Sequence, residues 1–532
     1  METTIESTKQ KEVINVMWFK RDLRLRDNPT LAHAIKETSK TKGRRLLLIY
    51  IYEPSLVANP HYDERHWRFV FQSLTSINSQ LKVMKKAFDP QFIVNEYPNI
   101  PNIKIEESVE QYKADPAWCI NIFMDEVIAV FEELRNEYEL AKVFSHKETG
   151  MKITYDRDIA FATLCKNYGI QWNEYTNNGI IRKIKDRSKR YERWKSIMNE
   201  PQMHPDFSLF KPLVLTDEIS KNNPGEKLPE SWKEENTNFQ LGGEKHAFHY
   251  LNIFLKNNLK NYTISLSKPL ESRTNCSRIS PYLAWGCIST RQVFQAITEV
   301  KRRKAPGDKI LSKELNLYSN RLMCQGSFVQ SFENKDNIEF EDVNKFFSGI
   351  KKNIDQQSFE RWCNGQTGYP LADASMRCLA KTGFVNFRMR AFLISFLTHH
   401  LFQDWKEGAK HLAKLFLDFE PGIHFSQMQL QSGMGSHQIV RVYNPVKQSQ
   451  DHDPKGIFIK QWIPELANCD EADIHEPWKM SLLQQQFCGV IIGEDYPFPI
   501  VDAIKTGKEA REILFEPRLT NKAGTKKPPI KD

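Results

Sequence analysis

The sequence predicts an α/β domain followed by a mostly α-helical domain, and three observations carry that prediction. Over the first 175 residues short apolar runs alternate with amphipathic stretches. Beyond Glu244 the apolar residues fall at helical spacing in long segments and strand signals nearly vanish. Between the two lies Pro201 to Gly243, rich in Pro, Asn, Lys and Glu, with little periodicity. The boundaries that follow are 13–175 for the α/β domain, 176–243 for a connector, 244–515 for the helical domain and 516–532 for a basic tail expected to fray.

In the first domain "VINVMWF" (13–19), "RLLLIYIY" (45–52), "AKVFSHK" (141–147) and "IQWNEY" (170–175) read as strands. "PTLAHAIKET", "ERHWRFVFQSLTSINSQLKVM", "MDEVIAVFEELRNEY" and "TYDRDIAFATLCKNYG" have helical spacing. Strands separated by helices imply a parallel sheet with right-handed crossovers.

The first strand runs into Lys20–Asp27, "KRDLRLRD", with six charged residues in eight positions. In a parallel α/β sheet that turn lies at the carboxyl edge, where ligands gather. Asn28 or Asp27 can cap the helix whose first turn holds Pro29. Two readings stay open, a solvated ion-pair cluster or one wall of a ligand site. The basic run 179–195, "GIIRKIKDRSKRYERWK", is read first as a solvated helix face and second as a nucleic-acid footprint.

Bulk properties narrow the function classes. Hydrophobic content of 40% and charge of 27% describe a packed globular chain, and 532 residues are too many for one ordinary core. The net charge of +9 suits a polyanionic partner without requiring one. Nine cysteines occur without a C-x-x-C pair, so reduced thiols and no metal site are expected. The start "METTIESTKQKEV" lacks an apolar signal core, and "LLLIYIY" is only strand-sized, so a cytoplasmic chain without membrane spans is expected.

The helical half contains "SRISPYLAWGCIS" (277–289), "WCNGQTGYPLADASMRCL" (362–379), "RMRAFLISFLTHHLFQDWKEG" (388–408) and "RVYNPVKQSQDHDPKGIFIKQWIPEL" (441–466). In order and interval these phrases, with the opening "WFKRDLRLRDNPTL", resemble the photolyase and cryptochrome family over roughly residues 13–515. The resemblance implies the photolyase/cryptochrome fold: a Rossmann-like parallel five-stranded sheet, then a helical FAD-binding domain with the FAD folded into a U. It further implies a monomer, DNA carrying UV lesions, single- or double-stranded, as partner, and in many relatives a folate or deazaflavin antenna near Lys20–Asp27 and Tyr52–Pro54.

By resemblance Tyr262, Ser277, Arg278 and Ser280 match phosphate-contacting positions, and Tyr318 and Gln325 match further cofactor contacts. Hydroxyls and a guanidinium at a helix start are what a pyrophosphate needs, although plain capping of the "PYLAWG" helix would explain the serines equally. Cys276 replaces the family's usual Thr. Arg390 and Asp418 match the pair that crosses the isoalloxazine. Glu420 replaces an Asp at the flavin N3 edge, and His424 stands at the residue facing N5, where it would hydrogen-bond or relay a proton. Arg388 and Arg441 match positions that touch DNA phosphates.

The pattern also breaks. Arg321, Cys324, Phe387 and Leu430 replace the Glu, Trp, Asn and Trp with which repair enzymes read a flipped pyrimidine dimer. Trp405 matches the middle of the family's electron-hopping tryptophans, but Met428 takes the flavin-proximal place, and no Trp lies between Asn337 and Glu360. Two functions follow: light-driven DNA repair as a deoxyribodipyrimidine photo-lyase, with Trp405 and His424 as its catalytic candidates, or a cryptochrome-type blue-light photoreceptor. The substitutions favour the second; Arg388, Arg441, the basic 182–195 stretch, Phe387 and Tyr443 as stacking surfaces, and the short tail favour the first, with Arg321, Phe387, Arg388 and Arg441 as its DNA-binding candidates.

Overall fold

The computed structural model describes residues 11–88, 117–176, 178–182, 184, 189–222, 228–305, 307–335, 337–344, 355–435 and 441–522, with 86–88, 221–222 and 515–522 given by backbone alone. Five parallel strands form one sheet: β1 (Glu12–Phe19), β2 (Arg45–Tyr52), β3 (Asn121–Met124), β4 (Tyr138–His146) and β5 (Gln171–Tyr175). Their order is β3-β2-β1-β4-β5. Helices cover both faces, so β1 and β2 are buried almost end to end, and an apolar run without alternation is the sequence such strands need.

That order reverses direction between β1 and β4. In an open α/β sheet the loops leaving such a pair part company and leave a crevice at their carboxyl ends. Lys20–Asp27 leaves β1 there and Lys147–Gly150 leaves β4. Asn28 does cap the helix Pro29–Ser39, its side chain accepting from the Leu31 amide, with Pro29 in the first turn.

The charged turn is not a solvated cluster. Lys20, Asp22, Arg24 and Asp27 are buried, and only Arg26 is exposed. Asp27, at a left-handed φ of 46°, accepts from Ser289 Oγ (2.6 Å), Arg291 Nη1 (2.9 Å) and the Met203 amide (3.0 Å). Arg24 Nη1 donates to the Gly286 carbonyl at 2.9 Å. Here the two domains meet so closely that a Cβ on Gly286 would lie 2.1 Å from the Arg21 carbonyl oxygen, so this position admits only glycine. Long-range partners, invisible to periodicity, turn a hydrophilic segment into an interdomain bolt.

The connector is ordered where described. It carries the helices Arg190–Asn199, Asp217–Asn222 and Glu230–Lys233. Its backbone flanks β2, with the Leu46 amide donating to the Lys211 carbonyl (2.8 Å) and the Leu213 amide to the Leu46 carbonyl (3.1 Å). The basic run 179–195 lies partly outside the described residues. Within it Arg182 is tied to Glu333 (2.6 Å) and to the Glu148 carbonyl (2.8 Å), which gives it a structural task.

The helical domain centres on the long helix Lys309–Glu333, packed against Pro421–Ser432. Gly422 permits that crossing, since a Cβ there would meet Val329 Cα at 2.8 Å. Among the described residues no helix is long and apolar enough to cross a membrane.

Candidate functional site

The helical domain encloses a cavity of about 530 Å³, within the range of small-molecule and cofactor sites. Four pieces of chain build it. The segment entering the helix Ser280–Ala284 brings Ser277, Arg278 and Ser280; the helix Lys309–Glu333 brings Tyr318, Arg321 and Gln325; the start of Phe387–Ser395 brings Asn386, Phe387 and Arg390; and 416–428 brings Asp418, Glu420, His424 and Met428. Tyr262 completes the wall. All ten residues expected to hold cofactor therefore face one space.

Arg278 is the most telling of them. It adopts a left-handed φ of 53°, a strained conformation for an arginine. Its guanidinium lies 3.8 Å over the Phe384 ring and donates to Gln240 Oε1 (3.0 Å) and, more weakly, to the Arg273 carbonyl (3.3 Å). Among the described residues it has no carboxylate partner, and its Nε, buried, has no hydrogen-bond partner. Burial, helped by the neighbouring Arg273 cation, pulls its pKa down to about 10 against the weaker pull of Asp418, so the enclosed cation is only partly balanced. The capping alternative for the serines fails, because the helix Ser280–Ala284 starts without any side-chain cap.

A second set is organised differently. Arg390 grips Asp418 in two parallel bonds of 3.0 and 2.9 Å, and its guanidinium stacks 4.1 Å over Phe416. Burial pushes the Asp418 carboxyl up, but Arg390 more than offsets this and leaves it below its ordinary value. Burial pushes Glu420 up to about 7 against the pull of Arg21, whose Nη1 lies 3.4 Å from Oε2. Glu420 Oε1 is buried without a partner. His424 Nε2 donates to the Ala409 carbonyl at 2.9 Å, and burial drives its pKa down to about 3. The ring is neutral, with Nε2 carrying the proton and Nδ1 left as an acceptor. It is therefore poorly suited to hold a second proton for a relay.

Sequence reasoning missed Asn386. It caps the helix Phe387–Ser395, its Oδ1 accepting from the Met389 amide (2.9 Å). Its Nδ2 is a buried donor without a partner, on the cavity wall. Three unpartnered buried polar atoms, Arg278 Nε, Asn386 Nδ2 and Glu420 Oε1, thus belong to wall residues of one large cavity. Buried polar groups are seldom left unpaired, and their clustering in a wall that also carries Ser277, Ser280, Tyr318 and Gln325 fits a site for a polar ligand. A dinucleotide with an anionic bridge and a flat polar ring fits that donor set.

Of the other expected residues, Arg321 and Phe387 stand at the exposed rim, while Arg388, Arg441 and Trp405 do not line the cavity. Arg441 is exposed, and Trp405 is buried with its Nε1 donating to Asp342 (2.7 Å).

Fold and cavity together define a two-domain protein whose helical half encloses a dinucleotide-sized site. Residues 318–515 match the family described as the FAD binding domain of DNA photolyase, and residues 15–119 match DNA photolyase. The chain belongs to the DNA photolyase family, cryptochromes included, and carries its FAD-binding domain. It is 27% identical over 509 residues to a deoxyribodipyrimidine photo-lyase of Alkalihalophilus pseudofirmus, covering 93% of this chain and 97% of that one. It is 25% identical over 527 residues to a cryptochrome DASH of Synechocystis, covering 94% and 97%. A class III photolyase structure from Agrobacterium tumefaciens superposes with a TM-score of 0.76 at 23% identity, covering 97% of this chain and all of that one.

Proposed function

We propose that this protein is a light-driven DNA-repair flavoprotein acting on UV-induced pyrimidine dimers. FAD held in the cavity would supply the light-excited electron donor, and the chain's own residues bind the cofactor, exclude water and present the damaged bases. The observation that carries this reading is the rim. Phe387 is 39% exposed there, with the Arg321 guanidinium 4.8 Å and the Arg388 guanidinium 5.4 Å from its ring centroid. Arg388 also donates to the Tyr443 hydroxyl at 2.9 Å. An aromatic face between two guanidiniums, at the mouth of a largely apolar cavity, suits an unstacked base and its flanking phosphates. Exposed Arg441 adds a cation on the same segment as Tyr443.

A second reading, a blue-light photoreceptor without repair, is favoured by Arg321, Cys324, Phe387 and Leu430 standing where repair enzymes read the dimer. The two part on one experiment. Reduced holoprotein is illuminated with dimer-containing single- and double-stranded DNA, and the products are analysed. Light-dependent lesion loss on either substrate is expected; intact lesions on both select the photoreceptor.

We place light capture on FAD itself. At the carboxyl ends of β1 and β4 a folate or deazaflavin would have to displace buried ion pairs: Lys20–Asp158 (2.8 Å) and Arg157 with Glu53 (2.6 Å), Glu148 (2.7 Å) and Asp158 (2.9 Å). The spaces left are about 30 Å³ by β1 and β2 and about 50 Å³ by β1 and β4, room for a few waters.

A further inference from the structure

Among the described residues the cavity wall contains no tryptophan, and it carries Met428 where the family resemblance puts a flavin-proximal tryptophan. Aromatic rings nevertheless continue outward from the wall in another direction, across the domain interface. Phe419 lines the cavity, and its centroid lies 5.3 Å from that of Tyr62. Tyr62 lies 6.3 Å from Trp285 and 4.9 Å from Trp67. Trp285 lies 6.1 Å from Trp67, and Trp67 lies 6.2 Å from Trp232. Trp285 follows the wall residue Ala284, and its Nε1 donates to the carbonyl of Leu417 (3.2 Å), next to Asp418.

Resting on the flavin reading above, we propose that Trp285, Trp67 and Trp232 form the route by which electrons from a soluble thiol reach the photoexcited flavin. With FAD bound and photoexcited, Trp285 would supply one electron to it and be left as a radical cation. Trp67 refills Trp285, Trp232 refills Trp67, and a thiol refills Trp232 while releasing its proton to solvent; the two sulfur radicals left by two such events couple as a disulfide. No covalent bond in the protein forms or breaks.

Electrostatics give the route its direction. The Arg21 guanidinium sits 4.5 Å over the Trp285 ring and opposes positive charge there, while among the described residues no cation lies over Trp67 or Trp232. A hole formed on Trp285 therefore moves outward. Trp285, Trp67 and Trp232 are each at most 4% exposed, so little water must reorganise as charge passes. Trp232 sits in the connector helix Glu230–Lys233, which has exposed residues on either side of it. The tyrosines are poorer carriers. Burial raises the pKa of Tyr262, Tyr318 and Tyr62, and Tyr62 accepts a hydrogen bond from Arg21 (2.9 Å), so loss of the phenolic proton on oxidation is opposed.

The test uses full-length FAD-loaded protein under anaerobic blue light with dithiothreitol, following flavin bleaching and, by transient absorption, the indole radical. Trp67→Phe and Trp232→Phe should each slow photoreduction by about tenfold or more and abolish the long-lived indole radical, with FAD content and dark reduction by dithionite unchanged. Trp478→Phe, remote from the route, should behave as wild type. If Trp67→Phe folds poorly, Trp232→Phe at the surface end decides alone. Wild-type photoreduction in both variants, or a wild type that light cannot reduce, overturns the route while leaving the flavin site standing. A protein that takes up no FAD overturns both.

Discussion

Two charged regions meet at the domain interface, and they have opposite outcomes. The crevice at the carboxyl ends of the sheet is nearly closed: Lys20 and Arg157 face Asp158, Glu53 and Glu148, and only about 30 Å³ remains by β1 and β2 and about 50 Å³ by β1 and β4. The cavity in the helical domain is open at about 530 Å³, and its wall carries Arg278, Asn386 and Glu420 with polar atoms unpaired. Arginines and carboxylates line both. The difference teaches that complementarity, not charge, separates a structural bolt from a binding site: where each buried cation has its carboxylate the space fills, and where it has none a ligand must complete the set.

The sharpest way to break the comparison is at the closed region. Arg157→Ala leaves Glu53, Glu148 and Asp158 buried around a missing guanidinium, though Lys20 still serves Asp158. It should cost about 3–5 kcal/mol in denaturant unfolding. A loss under about 1 kcal/mol would mean that the cluster is solvated after all.

Glu420 belongs to both regions, paired through Oε2 with Arg21 and unpaired at Oε1. Its carboxyl, raised to about 7, stabilises the apoprotein fully at low pH, and that contribution is lost as pH rises from the ordinary carboxyl range through about 7. His424, lowered to about 3, acts oppositely, adding stability as pH rises toward 6.5. The two largely offset. Glu420→Gln should unmask the rise, gaining stability relative to wild type between about pH 4.5 and 7 by up to about 3 kcal/mol. Parallel stability-pH curves would refute the assignment.

Arg278→Ala should behave unlike Arg157→Ala. No carboxylate is orphaned, so apoprotein stability should change little, while FAD affinity falls by about 2 kcal/mol, roughly thirtyfold. Calorimetric titration of both apoproteins checks this. The smallest effect is expected at the rim, where Phe387→Ala should weaken single-stranded DNA binding by about 1 kcal/mol, read by fluorescence anisotropy at fixed salt. Unchanged binding would move the DNA contact elsewhere.

Much of the fold is legible in the sequence because burial on one or both faces leaves a period. Four strands are found within three residues of their ends; β3 is missed because it is four residues long, "NIFM", with only Phe123 buried. The turn after β1 stays undecided between a solvated cluster and a ligand-site wall because its partners Glu148, Asp158, Gly286 and Arg291 lie more than a hundred residues away, and no local pattern reports them. In the candidate site, Arg278, Arg390, Asp418 and Glu420 are reached through motif resemblance rather than periodicity. Asn386 is hidden behind a sound local explanation, since one end of its amide caps a helix while the other is buried without a partner in a cavity-wall residue. Trp67 and Trp285 are core residues, and only their mutual distance suggests more.

The central claim is that the cavity walled by Arg278, Arg390, Asp418 and Glu420 is completed by FAD. Its most direct test is titration of FAD into the apoprotein, followed by visible absorption and calorimetry. The account predicts saturable one-to-one binding with a structured flavin spectrum, weakened in Arg278→Ala and Asp418→Ala. A folded protein that remains colourless at saturating FAD would contradict it.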